Sequence, residues 1–370
     1  MTPLSHGIWK VVAPLARTVP AVRGAAEFLR SKHHLVHHSA AKVFPALIRP
    51  HTVNLTVAIT ASCNQRCKGC LYERGFMTGH QLSLTMMNDL LEDAAALGVR
   101  QIRLYGGEPL LHPDLPAMVR RSIELGLRTY VTTNGVLIRE RVDELFDAGL
   151  RDFTIGFYGT GHLYDEYVQR KRNFERLERS LDYVRSKYGK QIGLRFNWLL
   201  MRPTCSPEAL AEAVAFAQRY ETPMQVDLID YSLPYFTEGP ERELQFRPED
   251  RPAIDRLVDA LLTWKRSHPS LIQNSEPGIR SIPDWLLLGS DMKVACDKYR
   301  MVWVGADGSV QLCYVTFKLG SLHLHRLRDM LYTKEHVDAA RGAFELKCPN
   351  CHCGFDDRVR KDAACMKKYS

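Results

Sequence analysis

The chain has no apolar run of 18 residues, the minimum for a helix that crosses a bilayer. In its first 50 residues Lys10, Arg17, Arg23 and Arg30 break every such stretch. That segment also lacks the uninterrupted apolar core and small-residue cleavage site of a secretory signal, which points to a cytoplasmic protein. Acid is scarce there too. Glu27 stands alone against seven Lys and Arg, so six of the eight net positive charges of the 370-residue chain fall in residues 1–50. The remainder carries only +2, which argues against a basic body that wraps nucleic acid. No low-complexity tract is present, and no repeat beyond an alternation of strand-like and helix-like stretches. Cysteine is nearly missing from the middle of the chain, where Cys205 alone separates Cys70 from Cys296; it reads as a small buried or semi-exposed thiol, with a catalytic role as the alternative.

What is present is a globular balance of 45% hydrophobic and 25% charged residues. Strand-like runs at 53–59, 101–105, 128–133, 152–157, 192–200 and 224–229 alternate with helix-like stretches at 83–97, 113–125, 138–148, 173–187 and 207–220. Six such units fall short of the eight that close a full barrel. The expected fold is therefore α/β, a partial (β/α)6 barrel with its chemistry at the C-terminal ends of the strands. After residue 231 come a loop rich in Pro and Glu, a helix around 251–266, and an irregular stretch to about 288. The final segment reads as short strands, turns and cysteines, with a hairpin turning at Ala306-Asp307-Gly308-Ser309. The resulting division is a basic N-terminal segment (1–50), the partial barrel (51–231), a helical linker (232–290) and a small cysteine-rich extension (291–370). The extension has too little apolar content for a core of its own, so a metal staple is expected.

Cys63, Cys67 and Cys70 fall within eight residues, directly after the first strand. In a reducing cytosol clustered cysteines are ligands more often than disulfides. Three thiolates on one loop hold three irons of a cubane and leave the fourth iron open, as catalysis requires; the alternative is a zinc knuckle, which would need a fourth ligand. This Cys-x3-Cys-x2-Cys pattern resembles that of the radical S-adenosylmethionine (radical SAM) enzymes, and further features recur in order. Tyr105-Gly106-Gly107-Glu108-Pro109 at the second strand end resembles the family's Gly-Gly-Glu-Pro motif, which holds the methionine amino group. Thr132-Thr133-Asn134-Gly135 at the third resembles the turn beside the methionyl and ribose groups. Residues 154–181, with His162, Asp165, Arg170, Phe174 and Leu177, are similar to the fourth unit. The resemblance implies a [4Fe–4S] cluster on the three cysteines and S-adenosylmethionine held by Gly106, Gly107, Glu108, Pro109, Thr133 and Asn134. Gly69 stands where a bulky residue commonly packs on the adenine, so Tyr72 is expected to supply that contact. Gly156-Phe157-Tyr158-Gly159 replaces the family's Ser-Leu-Asp-Gly. Arg195 is a candidate for the carboxylate of the cofactor or for substrate, with a partly buried salt bridge as the alternative. Tyr158, Arg195, Asn197, Asp227 and Asp230, at strand ends, are candidate acid/base or substrate-binding residues.

Cys296 and Cys313, with Gly308 five positions before the latter, resemble the opening of the twitch and SPASM extensions. The pair is followed by Cys348-x2-Cys351, Cys353 and Cys365. One auxiliary [4Fe–4S] cluster on Cys296, Cys313, Cys348 and Cys351 is expected, with Cys353 and Cys365 as substitutes or an incomplete second site. Four-cysteine zinc is the alternative. The basic stretch 20–44 reads as a helix, either packed on the barrel or lying on an anionic membrane or lipid; His33/His37 and His34/His38 are spaced as possible metal pairs. The resemblance implies radical cleavage of S-adenosylmethionine, a reductase partner such as flavodoxin or ferredoxin, and hydrogen abstraction from a small polar metabolite. A sugar, aminocyclitol or nucleoside is the first choice, with dehydrogenation, epimerisation, dehydration or decarboxylation as the reaction. Peptide maturation and lipid modification stand as alternatives, and a non-catalytic zinc or iron–sulfur protein as the reading from another class.

Overall fold

The computed structural model describes residues 33–236, 242–314 and 316–370. Residues 20–32 of the expected N-terminal helix lie outside them. Six parallel strands form the frame: β1 (Asn54–Thr60), β2 (Gln101–Gly106), β3 (Arg128–Thr133), β4 (Asp152–Phe157), β5 (Gly193–Leu200) and β6 (Met224–Leu228). The connecting helices are α1 (Leu84–Ala96), α2 (Leu115–Glu124), α3 (Ile138–Asp147), α4 (Gly161–Val168), α5 (Asn173–Tyr188) and α6 (Pro207–Arg219). Ser83 and Ser206 start α1 and α6, each side chain accepting a backbone N–H of the first turn, from Met86 at 3.2 Å and Ala209 at 3.1 Å. The fold is α/β, and the barrel is open: β6 and the last strand are the two edges of a single sheet.

Strands β2 to β6 alternate. Ile102, Leu104, Val131, Phe153, Ile155, Phe196 and Trp198 face the helices and are buried with Leu90, Met118, Val142 and Leu181. The other side of the same strands, carrying Arg103, Thr132, Thr154, Arg195, Asn197 and Asp227, lines the lumen. Parallel strands with one helix-covered face thus sort apolar from polar residues with period two.

The sheet does not end with the barrel. β7 (Met301–Val304) pairs in parallel with β1, Asn54 opposite Met301 and Val57 opposite Val304, and β8 (Ser309–Gln311) and β9 (Lys318–Ser321) continue it antiparallel. The order is β6-β5-β4-β3-β2-β1-β7-β8-β9. At the β7–β8 turn Gly308 has φ +75°, and the Asp307 carboxylate accepts from Ser309 N at 3.0 Å. The cysteine-rich extension therefore shares the barrel's sheet.

The expected helix around 251–266 is α7 (Arg251–Ser267). Two expectations are corrected here: the stretch to 288 that was expected to be irregular contains α8 (Glu276–Leu288), and the described residues of the extension hold four α-helices, α9 (Leu327–Met330), α10 (Lys334–Phe344), α11 (Phe355–Lys361) and α12 (Ala363–Tyr369). These are mostly short, and local caps define them. Asp362, for example, accepts from Ala364 N and Cys365 N, both at 3.0 Å. Helix α8 packs against α7, α11 and α12.

Asp93 on α1 is fully buried and joins barrel to extension: Arg326 reaches it with two donors at 3.0 Å and Arg328 with a third at 2.5 Å. Asp93→Asn should cost about 2–4 kcal/mol in urea denaturation, because two cations lose their anion while one carboxamide cannot replace it. An unchanged midpoint would refute this.

Helix 33–43 sets Ala41, with Ile48 beyond it, against Tyr299, Ala340 and Phe344, and the His38 ring meets Phe344 edge-on. His34 and His38 are both lowered to about 4 by burial. Val36, Val43, Phe44 and Leu47 are exposed on this segment. No helix among the described residues is long and apolar enough to cross a membrane.

Candidate functional site

The segment after β1 carries Cys63, Cys67 and Cys70 and is braced from several elements. Arg74 Nη2 donates to the carbonyls of Cys67 at 2.5 Å and Cys70 at 2.6 Å. The C-terminal end of α4 receives Arg66 N on Val168 O at 3.1 Å and Lys68 N on Tyr167 O at 2.9 Å. Gln65 Nε2 donates to the Tyr164 hydroxyl, and Lys68 pairs with Glu166 and Glu243. Burial pushes the Cys63 thiol up to about 12, with the nearby Glu108 adding to it, and burial also raises Cys67 and Cys70. Such thiols become thiolates when a cation takes the proton's place. Three mutually close thiols on one loop suit a cubane with an open iron; among the described residues no three Cys, His, Asp or Glu are arranged to hold a single ion.

Beneath this loop the strand-end motifs form one hydrogen-bonded collar. Gly107 N donates to Thr60 O at 2.8 Å and Glu108 N to Ser62 O at 2.7 Å. A Cβ at Gly106 would lie 2.1 Å from Thr60 O. These glycines therefore admit the chain's own backbone, the root of the cysteine loop. Glu108 is likewise turned inward. Its carboxylate accepts from Leu110 N at 3.0 Å, Thr133 Oγ1 at 2.7 Å and Asn134 N at 2.8 Å, and it is fully buried. Asn134 Nδ2 in turn donates to Asn64 Oδ1 at 2.7 Å. Glu108 thus locks the second and third strand ends to the loop. Pro109 opens the turn that follows.

Burial raises Glu108 to about 7, against the lowering pull of Asn134, Thr133 and Leu110. A folded-state value above the ordinary 4.5 means the folded chain holds this proton more tightly than the unfolded one. Its contribution to stability is complete below about pH 4.5 and is lost as pH rises to about 7. The thermal midpoint should therefore fall between pH 5 and 7.5 in the native chain and fall less in Glu108→Gln. Equal falls would exclude the assignment.

The candidate side chains divide by height in the lumen. Tyr158, just past β4, packs on Tyr164 and Tyr167 with ring centroids 5.7 and 4.6 Å away, and its hydroxyl fills the space over Gly156: a Cβ there would be 2.4 Å from it. Burial first, then Cys67, raises its pKa. Asp227, near the end of β6, accepts from Asn197 Nδ2 at 3.2 Å, and burial raises it. Asp230 accepts from His352 N at 2.8 Å, so it faces the extension. Arg195 corrects the expectation: it is the third residue of β5, opposite Thr154, one lumen-facing step below Asn197 and away from the strand's C-terminal end. It is exposed and has no ion-pair partner among the described residues.

Tyr72 is buried in an aromatic wall between the cysteine groups, with Tyr105, Tyr235, Trp303 and Tyr314. Its hydroxyl donates to that of Tyr105 at 3.2 Å, and Trp303 Nε1 donates to the same oxygen. Arg103, absent from the sequence candidates, crosses the lumen from Thr132 Oγ1 at 2.9 Å to the Tyr314 hydroxyl at 2.8 Å. Its alternation with Ile102 and Leu104 was the available signal.

Cys296, Cys313, Cys348, Cys351 and Cys353 line one cavity, with Lys298, Tyr314, Asn350 and Arg358. Cys365 lies apart on α12, buried beside Asp362, where burial pushes it up to about 12. Cys205 sits in the main core. Arg358, 1% exposed, has an Nε without a hydrogen-bond partner among the described residues. Five thiols and a buried cation form a donor set that fits an anionic thiolate-bound cluster.

The description "Radical SAM superfamily" matches residues 57–214. Among curated relatives, the GTP 3′,8-cyclase of Chlorobaculum tepidum is 34% identical over 148 residues, 40% of this chain and 44% of the relative. The human molybdenum cofactor biosynthesis protein 1 is 30% identical over 177 residues, 45% of this chain and 28% of the relative. The chain thus spans less than half the length of either. Among solved structures, native anSMEcpe with bound AdoMet superposes with a TM-score of 0.60 at 15% identity, covering 79% of this chain and 84% of that one. Streptococcus suis SuiB bound to S-adenosylmethionine gives 0.59 at 16%, covering 81% and 68%. Both show the fold. The superfamily's cofactors are a [4Fe–4S] cluster and S-adenosylmethionine, and the loop of Cys63, Cys67 and Cys70 has the donors for the first. Residues 57–214, the strands and motifs from β1 into α6, are a domain of the radical SAM superfamily.

Proposed function

We propose that this enzyme cleaves S-adenosylmethionine reductively at a cluster held by Cys63, Cys67 and Cys70 and takes a hydrogen atom from a small polar metabolite of the nucleoside or sugar class. The observation that carries the substrate class is the lumen: Arg103, Thr132, Thr154, Arg195, Asn197 and Asp227 face it from successive strands. A lipid chain would find little apolar lining there, whereas hydroxyls and an anionic group would find donors and acceptors. Relatives whose name gives GTP as substrate support the nucleoside side of this reading.

The bound cofactors supply one-electron cleavage of the sulfonium and abstraction of an unactivated hydrogen. The chain does the rest. Arg195 offers an unpaired cation low in the lumen, Asn197 orients Asp227, and Asp227, raised by burial, exchanges a proton near the mouth. Tyr158 and the aromatic wall of Tyr72, Tyr105 and Tyr314 exclude water. Cys296, Cys313, Cys348 and Cys351 hold an auxiliary [4Fe–4S] cluster, with Cys353 at the same cavity. A reductase supplies the electron. Contact of residues 1–50 with a membrane or lipid would use the exposed Val36, Val43, Phe44 and Leu47.

The test is deuterium transfer from labelled nucleosides, nucleotides, sugars and aminocyclitols into 5′-deoxyadenosine by the reduced, anaerobically purified protein. No transfer from any of them would overturn the substrate class. With an active substrate, Asp227→Asn should lower kcat/KM by about 10–100-fold at unchanged iron content. A rate within twofold of the native chain would remove Asp227 from the mechanism.

A further inference from the structure

Arg358 is a charge without a visible partner. It lies on α11, 1% exposed, and donates to the carbonyls of Cys351 and Val294, both at 2.5 Å, and to Asn350 Oδ1 at 2.6 Å. Every one of these acceptors is neutral. Its Cζ stands 4.6 Å from the centroid of the Trp285 ring, and its Nε has no acceptor among the described residues. Three other cations of this region are matched: Lys361 pairs with Asp297 at 2.5 Å, Arg360 with Asp356 and Asp357, Lys42 with Asp362; Lys298, which lines the same cavity as Arg358, has no ion pair among the described residues. A guanidinium buried among carbonyls and an indole is costly unless an anion completes the site.

Ionisable sulfur is concentrated in the cavity Arg358 itself lines, with Cys296, Cys313, Cys348, Cys351 and Cys353. A cubane on four thiolates carries net negative charge in its oxidised and reduced forms alike. We propose that Arg358 is the fixed counter-charge of the auxiliary cluster, a positioning and potential-setting residue that stabilises the reduced, more negative form. The inference rests on the auxiliary-cluster reading above. It goes beyond that reading by assigning the cluster's redox poise to one side chain. Trp285 holds the guanidinium flat through its ring face, and the carbonyl bonds fix its orientation, so the charge is preorganised and does not depend on solvent.

The experiment compares the full-length native chain with Arg358→Lys and Arg358→Gln, both purified anaerobically, by iron and sulfide content and by an EPR-monitored redox titration of the auxiliary cluster. Lysine keeps the charge and loses the fork; glutamine keeps a donor and loses the charge. The expected result is a midpoint in Arg358→Gln more negative than in the native chain, with Arg358→Lys close to native. Loss of the auxiliary iron in the Gln variant alone would support the same role. Equal behaviour of the two variants, whether unmoved midpoints or equal loss of iron, would show that the charge has no part and would overturn the proposal. A native chain with a single cluster's iron would instead overturn the auxiliary-cluster reading, so the two failures are distinguishable.

Discussion

Serine in place of Cys67 is expected to abolish 5′-deoxyadenosine formation, by at least about a thousandfold, while leaving the iron of the auxiliary site in place. Cys67 is the middle thiol of the loop and is raised most directly by its two neighbours after burial itself. A hydroxyl there does not ionise at neutral pH and is a poor ligand for iron, so one corner of the cluster is lost. The bracing of the loop by Arg74, Tyr167 and Val168 runs through backbone carbonyls and amides and survives the exchange. The variant should therefore fold, and the comparison is clean. Cys205→Ser and Cys365→Ser serve as controls that should keep full iron, because both thiols are buried away from either cysteine group. Chromatographic detection of 5′-deoxyadenosine after reduction, with iron counted per chain, decides it. Cleavage at native rate in Cys67→Ser would sink the assignment of the catalytic cluster.

The second large effect is expected from a single methyl group. A Cβ at Gly107 would stand 2.3 Å from the Ala61 carbonyl oxygen and 2.4 Å from that of Ser62. Both are backbone atoms, and neither can rotate away. Strand β2 would have to withdraw from the cysteine loop, breaking the bonds of Gly107 N to Thr60 O and Glu108 N to Ser62 O. Gly107→Ala should thus cost about 3 kcal/mol or more and release the catalytic iron, since Cys63 directly follows Ser62. Gly156→Ala is the informative contrast. Its Cβ would meet only the end of the Tyr158 side chain, at 2.4 Å, and that ring can swing aside. Urea unfolding with iron determination should show a large loss for the first and a small one for the second. Equal midpoints would mean that the collar is softer than its geometry implies.

Much of the barrel was legible because most strands have one face under helices, so that Val, Ile and Phe recur with period two. The cysteine spacing and the strand-end glycines were legible as chemistry for the same reason: few other sequences need them in that order. What the sequence hid is three-dimensional. Nothing in Glu108 shows that Thr133 and Asn134 will donate to its oxygens and make it an internal lock. Arg195 looked like a strand-end residue until the register, opposite Thr154, placed it low in the lumen. The helix α4 was missed because eight residues starting at Gly161 carry too little periodicity. The hairpin at 301–311 was visible, but a hairpin signal is local and does not say which distant edge will accept it. Arg358 stands inside the charged stretch Asp356-Asp357-Arg358, and only its burial against Trp285 sets it apart.

The pairing of β7 with β1 also governs how the protein can be made. As the chain leaves the ribosome, β1 emerges early and finds β2 soon after, but its other edge stays open until Met301 to Val304 have been synthesised. Six of the seven residues of β1 are buried in the finished sheet. During that interval an apolar strand with unpaired amides and carbonyls is available to any neighbouring chain. The cysteine-rich extension is therefore the protein's own cover for that edge, and a chain cut before it should aggregate on expression even though every barrel motif is present.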